Sequence, residues 1–261
     1  MKPGMQKKIL TALLLIAIII YPVVFGGPTL RILLGVITLI AAYEISALKD
    51  QKGDWILTII FTIVVVVFTL VPANQYAGAL GFFIIFLFVM VFVLPNFTID
   101  HAAFSLLIVV IISLAWQAAM RIYSNGMNFR GAIFILLATF LTDTCAYFFG
   151  VFLGKHKMAP TISPNKTWEG AIGGYLSGAL GSFLFGYLML KELPVSFLIS
   201  ASCILPFVAE IGDLTFSSIK RRFEIKDFGS FLPGHGGILD RIDSLLFTLM
   251  IMNALLMIWG L

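Results

Sequence analysis

The chain has 261 residues, of which 60% are hydrophobic and only 11% charged, with a formal net charge of +4. A soluble domain carries about 25% charged residues, so the deficit excludes a large soluble core and points to a polytopic membrane protein. The two cysteines, Cys145 and Cys203, lie in apolar runs without metal-ligand spacing; they imply no disulfide framework and read as small buried core residues.

Lys2, Lys7 and Lys8 precede an apolar run from Ile9 to Val24. A signal peptide begins in the same way. This run is long, however, and no small-x-small cleavage site follows Tyr21-Pro22, so it reads as an uncleaved first span. A helix needs about 20 apolar residues to cross a bilayer. The pattern predicts nine such spans, at 9–25, 29–48, 55–72, 78–94, 102–123, 132–153, 170–190, 195–219 and 243–260. Turn chemistry separates them, as at Gly26-Gly27-Pro28, Gly53-Asp54, Pro95-Asn96 and Asn125-Gly126. The first linker is so short that the first two spans would also suit one re-entrant hairpin. The expected fold is an all-α polytopic membrane protein, with N-terminal transmembrane helices over 1–130 and a C-terminal region over 131–261 that carries the chemistry.

Basic residues set the orientation. With nine spans and the N-terminus in the cytoplasm, 13 of the 17 Lys and Arg fall inside and 4 outside. Whatever the N-terminal count, the loops at 154–169 and 220–242 are separated by two spans and face the same side. The span at 170–190 places Gly170, Gly174, Gly178, Ser182 and Gly186 four apart, a stripe that lets helix backbones approach closely. Packing within the chain is the favoured reading, and a homodimer seam is the alternative. Trp55, Trp116, Trp168 and Trp259 lie near span ends and read as interfacial anchors.

Glu44, Asp143, Glu210 and Asp213 are carboxylates inside apolar spans. Such a group costs about 2.5–3.5 kcal/mol on insertion scales and is a functional candidate by default. Glu44 sits near a span end with Lys49 close by, so a structural, snorkelling role is as good a reading as function. Glu210 and Asp213 share one helical face, with Ser217 a further turn on. Pro206 and Gly212 would weaken that helix, as broken helices do at intramembrane sites. Asp143 opens a polar segment that runs on through Gly154-Lys155 to Ser163-Pro164-Asn165-Lys166-Thr167-Trp168-Glu169-Gly170. Ser163 and Thr167 are good N-cap types for the next helix, whose N-terminus beside Lys166 is a natural phosphate site.

The densest polar stretch runs from Ser217 to Asp243. Glycines and a proline around His235 forbid regular helix, leaving the amides of Gly234, Gly236 and Gly237 free to point at a ligand. Asp240 and Asp243 follow on one face of a starting helix. The oxygen-rich set Asp213, Asp240 and Asp243 suits Mg²⁺ rather than zinc, with room for a second cation, and is expected to converge on one metal site. Lys220, Arg221, Arg222 and Arg241 also suit a positive anchor at the lipid headgroups.

Three pieces of this stretch resemble the signature of the phosphatidate cytidylyltransferases (CDP-diacylglycerol synthases). They are Ser217-x-Ile219-Lys220-Arg221, Lys226-Asp227-x-Gly229, and Leu232-Pro233-x-His235-Gly236-Gly237-Ile238-x-Asp240-Arg241-Ile242-Asp243. The segment opened by Asp143 is similar to the same family in Tyr147-Phe148-x-Gly150, Gly154-Lys155 and Ser163-Pro164-x-Lys166-Thr167-x-Glu169-Gly170. The resemblance implies transfer of the cytidylyl group of CTP to phosphatidate, giving CDP-diacylglycerol and pyrophosphate. It implies catalytic roles for Asp213, Lys226, Asp240 and Asp243. Substrate and phosphate contacts would come from Asp143, Lys155, Ser163, Lys166, Thr167, Glu169, Ser217, Arg221, His235, Gly236, Gly237 and Arg241. CTP is soluble and phosphatidate is a lipid, so the site is expected at the cytoplasmic rim of a bacterial plasma membrane, with no nucleic-acid partner. A cytidylyltransferase for another lipid phosphate is the near alternative. A cation-coupled transporter is the distant one, since intramembrane carboxylates on broken helices would suit it.

Overall fold

The computed structural model describes residues 18–48, 53–229 and 236–261. The first predicted span therefore lies largely outside the described residues, and α1 is described over 18–25. Then follow α2 (Gly27–Ser46), α3 (Trp55–Leu70), α4 (Tyr76–Val93), α5 (Ile99–Ser124), α6 (Asn128–Leu153), α7 (Trp168–Met189), α8 (Val195–Arg222) and α9 (Leu239–Ile258). Seven of these are long and apolar enough to cross a membrane, namely α2 and α4 to α9. Helix α3 is apolar throughout but has 16 residues, about 24 Å of helix. The chain is an all-α polytopic membrane protein with one small departure. Residues expected as loop form an antiparallel hairpin, β1 (Lys157–Ala159) with β2 (Ser163–Thr167).

Helix ends follow local chemistry. The chain turns from α1 into α2 at Gly26 and Gly27, whose φ values of +64° and +58° suit glycine. The Tyr123 hydroxyl donates to the Val23 carbonyl beside this turn. Asp54 caps α3 by accepting from the N–H groups of Ile56 (2.8 Å) and Leu57 (3.3 Å). Thr98 and His101 form a reciprocal capping box at the start of α5.

Helix α5 is the core of the bundle, with Ile108, Val109, Ala115 and Ala118 fully buried. Trp116 belongs to that core and is not an interfacial anchor. Its indole N–H needs a partner once buried and donates to Thr38 Oγ1 at 2.8 Å. Trp55, Trp168 and Trp259 are exposed at helix ends, as anchors require. Cys145 is half-buried, but Cys203 is exposed. It lies in line with exposed Ile199 and Phe207 on the outward face of α8, where apolar residues need no protein cover because lipid supplies it.

The small-residue stripe of α7 is buried against α6. A Cβ on Gly174 would lie 2.5 Å from the Thr142 carbonyl oxygen, and one on Gly170 2.7 Å from that of Ala146. This stripe is used within the chain and is closed to a homodimer seam. Helix α8 runs unbroken through Pro206 and Gly212, so no break accompanies the hydrogen bond that a proline removes. Gly212 instead admits α9, since a Cβ there would lie 3.1 Å from Ser244 Cα.

Long-range contacts sort the connections between helices into two ends. At one end Arg222 pairs with Asp100 (2.7 Å) and Arg221 Nε donates to the Ile162 carbonyl (3.2 Å). At the other, Arg130 pairs with Glu192 (3.4 Å) and donates to the Met189 carbonyl (2.9 Å). The segments 154–169 and 220–229 thus share one end, as the span parity requires.

Overpacking a close helix contact costs about 1–3 kcal/mol. Gly174→Leu is therefore expected to lower the thermal unfolding temperature in detergent well below that of Leu180→Ala, whose site is 69% exposed. Equal shifts would contradict the α6–α7 contact.

Candidate active site

At the end shared by the hairpin and the C-terminus of α8 lies a cavity of about 480 Å³. Asp143, Tyr147 and Gly150 reach it from α6, Asn165, Lys166 and Thr167 from β2, and Gly170 from the start of α7. Glu210 and Asp213 come from α8, and Asp240, Asp243 and Ser244 from the first turns of α9. The two polar segments of the sequence therefore meet in one hollow.

Lys166 is its electrostatic centre. Its Nζ lies 2.6 Å from Glu210 Oε2 and 2.7 Å from Asp213 Oδ2. Burial works against the ammonium, but the neighbouring carboxylates, Asp213 before Glu210, outweigh it and hold the Lys166 pKa above the usual lysine value. Glu210 Oε1 is buried with no hydrogen-bond partner among the described residues. Asp143 and Asp243 share the cavity, so carboxylates outnumber the one ammonium on its wall.

Asp240 borders the cavity, but its oxygens are engaged. Oδ1 pairs with Lys220 Nζ at 2.8 Å, and Oδ2 accepts from Phe228 N–H (2.8 Å) and Gly237 N–H (3.1 Å). One expectation changes as a result. The Gly237 amide is not free for a ligand, because the loop uses it to bind Asp240. Asp213, Asp240 and Asp243 line the same cavity, although among the described residues no three His, Cys, Asp or Glu are gathered as a ready ligand set.

The remaining expected residues divide. Thr167 caps α7, its Oγ1 accepting from Gly170 N–H at 3.2 Å. Ser163 is no cap, because the chain stays extended from it to Thr167 as β2. Glu169 fastens the hairpin to α7, accepting from the N–H groups of Lys155 (3.1 Å) and His156 (3.2 Å) and lying 2.5 Å from His156 Nδ1. The residue Lys155 itself is exposed. Ser217, Lys226 and Arg221 are outside the cavity lining, with Lys226 and Arg221 exposed at the same end. Gly236 packs beside the Asp227 and Asp240 carboxylates. Arg241 lies on the other flank of α9, where it borders an apolar groove with Ile238, Ile242 and Leu245; one helical residue turns a side chain about 100° from its neighbour Asp240. His235 and Gly234 lie outside the described residues.

Two carboxylates outside the expected set are built into this end of the molecule. Glu210 pairs with Lys166 in the cavity. Glu44 accepts from the N–H groups of Ile238 (2.8 Å) and Leu239 (2.9 Å) at the start of α9. Each could be flagged from sequence as a carboxylate inside a span, but no spacing rule joins residues 44 or 194 positions apart.

Removing one partner of a buried ion pair costs about 3–5 kcal/mol, because the other charge is left uncompensated. Lys166→Met is expected to lower the unfolding temperature in detergent markedly, and exposed Lys155→Met hardly at all. Equal effects would remove Lys166 from the centre of the site.

Known proteins match the chain over nearly its whole length. The model of the cytidylyltransferase family matches residues 6–259. A phosphatidate cytidylyltransferase of Staphylococcus haemolyticus is 32% identical over 262 residues, covering 97% of this chain and 99% of the relative. Those of Staphylococcus aureus (strain COL) and Staphylococcus epidermidis (strain ATCC 12228) are each 33% identical over 259 residues, with the same coverage. The match takes in both polar segments and nearly the whole membrane bundle, and the chain belongs to the cytidylyltransferase family.

Proposed function

We propose that the protein transfers the cytidylyl group of CTP to phosphatidate, giving CDP-diacylglycerol for phospholipid synthesis and releasing pyrophosphate. The observation that carries this reading is the single cavity in which both polar segments meet at one end of a membrane-spanning bundle. The activity named for the full-length bacterial relatives supports it.

In this reaction a phosphate oxygen of phosphatidate attacks the α-phosphorus of CTP. The new P–O bond forms as the bond from that phosphorus to the β-phosphate oxygen breaks, and pyrophosphate leaves with the electron pair. A phosphate monoester has a second pKa of about 6, so the nucleophile arrives ionised and needs no general base. Positioning and charge neutralisation remain to be supplied. Lys166 and the N-terminus of α7 put positive charge on the cavity wall, and Arg221 and Lys226 stand at the same end to receive phosphate oxygens. Asp240 holds the loop.

The carboxylate excess, with Glu210 Oε1 unpartnered, fits a cavity that takes a cation. Mg²⁺ commonly binds through one or two carboxylates together with substrate phosphates, so Asp213 and Asp243 suffice and no three-carboxylate cluster is needed. Mg²⁺, with or without a second cation, would neutralise the triphosphate and the leaving pyrophosphate.

The site would face the cytoplasm of a bacterial plasma membrane, where soluble CTP meets a lipid that stays in its leaflet. Asp143 lies ten residues before the end of α6, about 15 Å along the helix, so the cavity would be recessed below the headgroups. Tyr147 and Val151 border it and are exposed, which gives phosphatidate a sideways entry from the bilayer. The unbroken α8 speaks against a transporter built on broken helices.

Purified protein given labelled CTP and a panel of lipid phosphates should make CDP-diacylglycerol from phosphatidate. Asp213→Asn and Asp243→Asn should each lower turnover by about 10²–10³, the usual loss for a group that stabilises transition-state charge, while Arg222→Ala keeps it. Chelation should stop the reaction and Mg²⁺ restore it. Unchanged turnover in both aspartate variants would overturn the assignment of the cavity, and unchanged turnover in chelator would overturn the cation.

A further inference from the structure

Glu44 lies in α2, far from the signature segments, yet its carboxylate sits at the N-terminus of α9. We propose that Glu44 is a positioning residue for the reaction: it fixes the first turn of α9, and with it Asp240 and Asp243, against the cavity. This inference rests on the cytidylyl-transfer reading of that cavity.

A helix N-terminus leaves its first N–H groups without intrahelical partners. The N-cap of α9, Ile238, makes no side-chain cap bond. Glu44 supplies the cap from 194 residues away, Oε1 accepting from Ile238 N–H and Oε2 from Leu239 N–H. Carboxyl oxygens there also complement the partial positive charge of the helix N-terminus. Glu44 is 2% exposed, so these bonds are what make its burial tolerable.

The fit is built from the loop side as well. A Cβ on Gly229 would lie 2.7 Å from Glu44 Oε1, and so would a Cβ on Gly237. Both glycines of the signature therefore let backbone close on this carboxylate. Glu44 and Asp240 together take the N–H groups of Phe228, Gly237, Ile238 and Leu239. The chain entering α9 is thus folded around two buried carboxylates, one of them from the N-terminal half. Displacing α9 would move Asp243 relative to Lys166, Glu210 and Asp213, which stand on other elements. In-line transfer is sensitive to such shifts, and about 1 Å of misplacement can cost on the order of a hundredfold in rate.

The test uses full-length protein in mixed micelles of detergent and phosphatidate. Glu44→Gln keeps the size but turns one acceptor into a donor facing an N–H. It is expected to lower kcat about tenfold to a hundredfold with little change in KM for CTP. Hydrogen exchange should rise at 236–243 and stay unchanged in α4 and α5, and Glu44→Asp should recover part of kcat. Wild-type kcat in Glu44→Gln would overturn the proposal, as would exchange rising equally through α2–α5, the mark of a scaffold role. If Glu44→Gln does not fold, Gly237→Ala presses on the same carboxylate and should give the same kcat-selective, local defect; wild-type kcat there overturns the proposal too. If the wild-type protein makes no CDP-diacylglycerol, the reaction reading fails. The exchange comparison at 236–243 then still decides whether Glu44 holds α9.

Discussion

A carboxylate placed in a bilayer-spanning bundle must be paired, hydrogen-bonded or hydrated. The end of the molecule that carries the cavity is arranged by that constraint. Glu44 and Asp240 meet it with backbone: between them they accept four N–H groups from the segment that leads into α9. Glu210 and Asp213 meet it with one ammonium, Lys166. The first pair is held by backbone amides, with Asp240 also at the cavity wall. The second lines an open cavity and keeps one Glu210 oxygen without a partner among the described residues.

Close helix packing puts these groups within reach of one another. The stripe on α7 brings its backbone against α6, which sets Asp143 across from Lys166 and the α7 N-terminus. Gly212 does the same for α8 and α9, setting Asp213 across from Asp243. Small residues at these positions do not bind anything themselves. They fix how near the charged residues one turn away can come, and so fix the width of the cavity. In a membrane, where apolar burial drives helices together only weakly, such contacts carry much of the association.

The hairpin between α6 and α7 has a matching role at the surface. Glu169 ties the two residues before its first strand to the helix that follows, and Arg221 ties its turn to the end of α8. Lys166 is thereby held at the cavity by a short strand, although a lysine on an unstructured loop would lose far more side-chain and backbone freedom on being placed there.

Much of this was legible in the sequence. Apolar run length and turn residues located eight described helices to within a few residues, because a bilayer fixes how long an apolar helix must be. Span parity placed the two polar segments at one end, and the carboxylates inside spans marked positions that had to be buried with partners. The sequence could not say which partner each one has. Asp240 and Asp243 are alike in type, one turn apart and both on the cavity wall, yet Asp240 is bound by Lys220 and loop amides while Asp243 accepts from its neighbour Ser244 N–H. Arg241 reads like a phosphate ligand in its motif but turns to the opposite flank of α9. Trp116 lies near a predicted span end like the other three tryptophans, but helix crossing puts it in the core against Thr38. Glu44 finds its partners 194 residues away. Local chemistry and the bilayer set which residues are helical and which are costly to bury. Only the packing of the helices, which joins distant residues by geometry, decides whether a carboxylate serves the scaffold or the site.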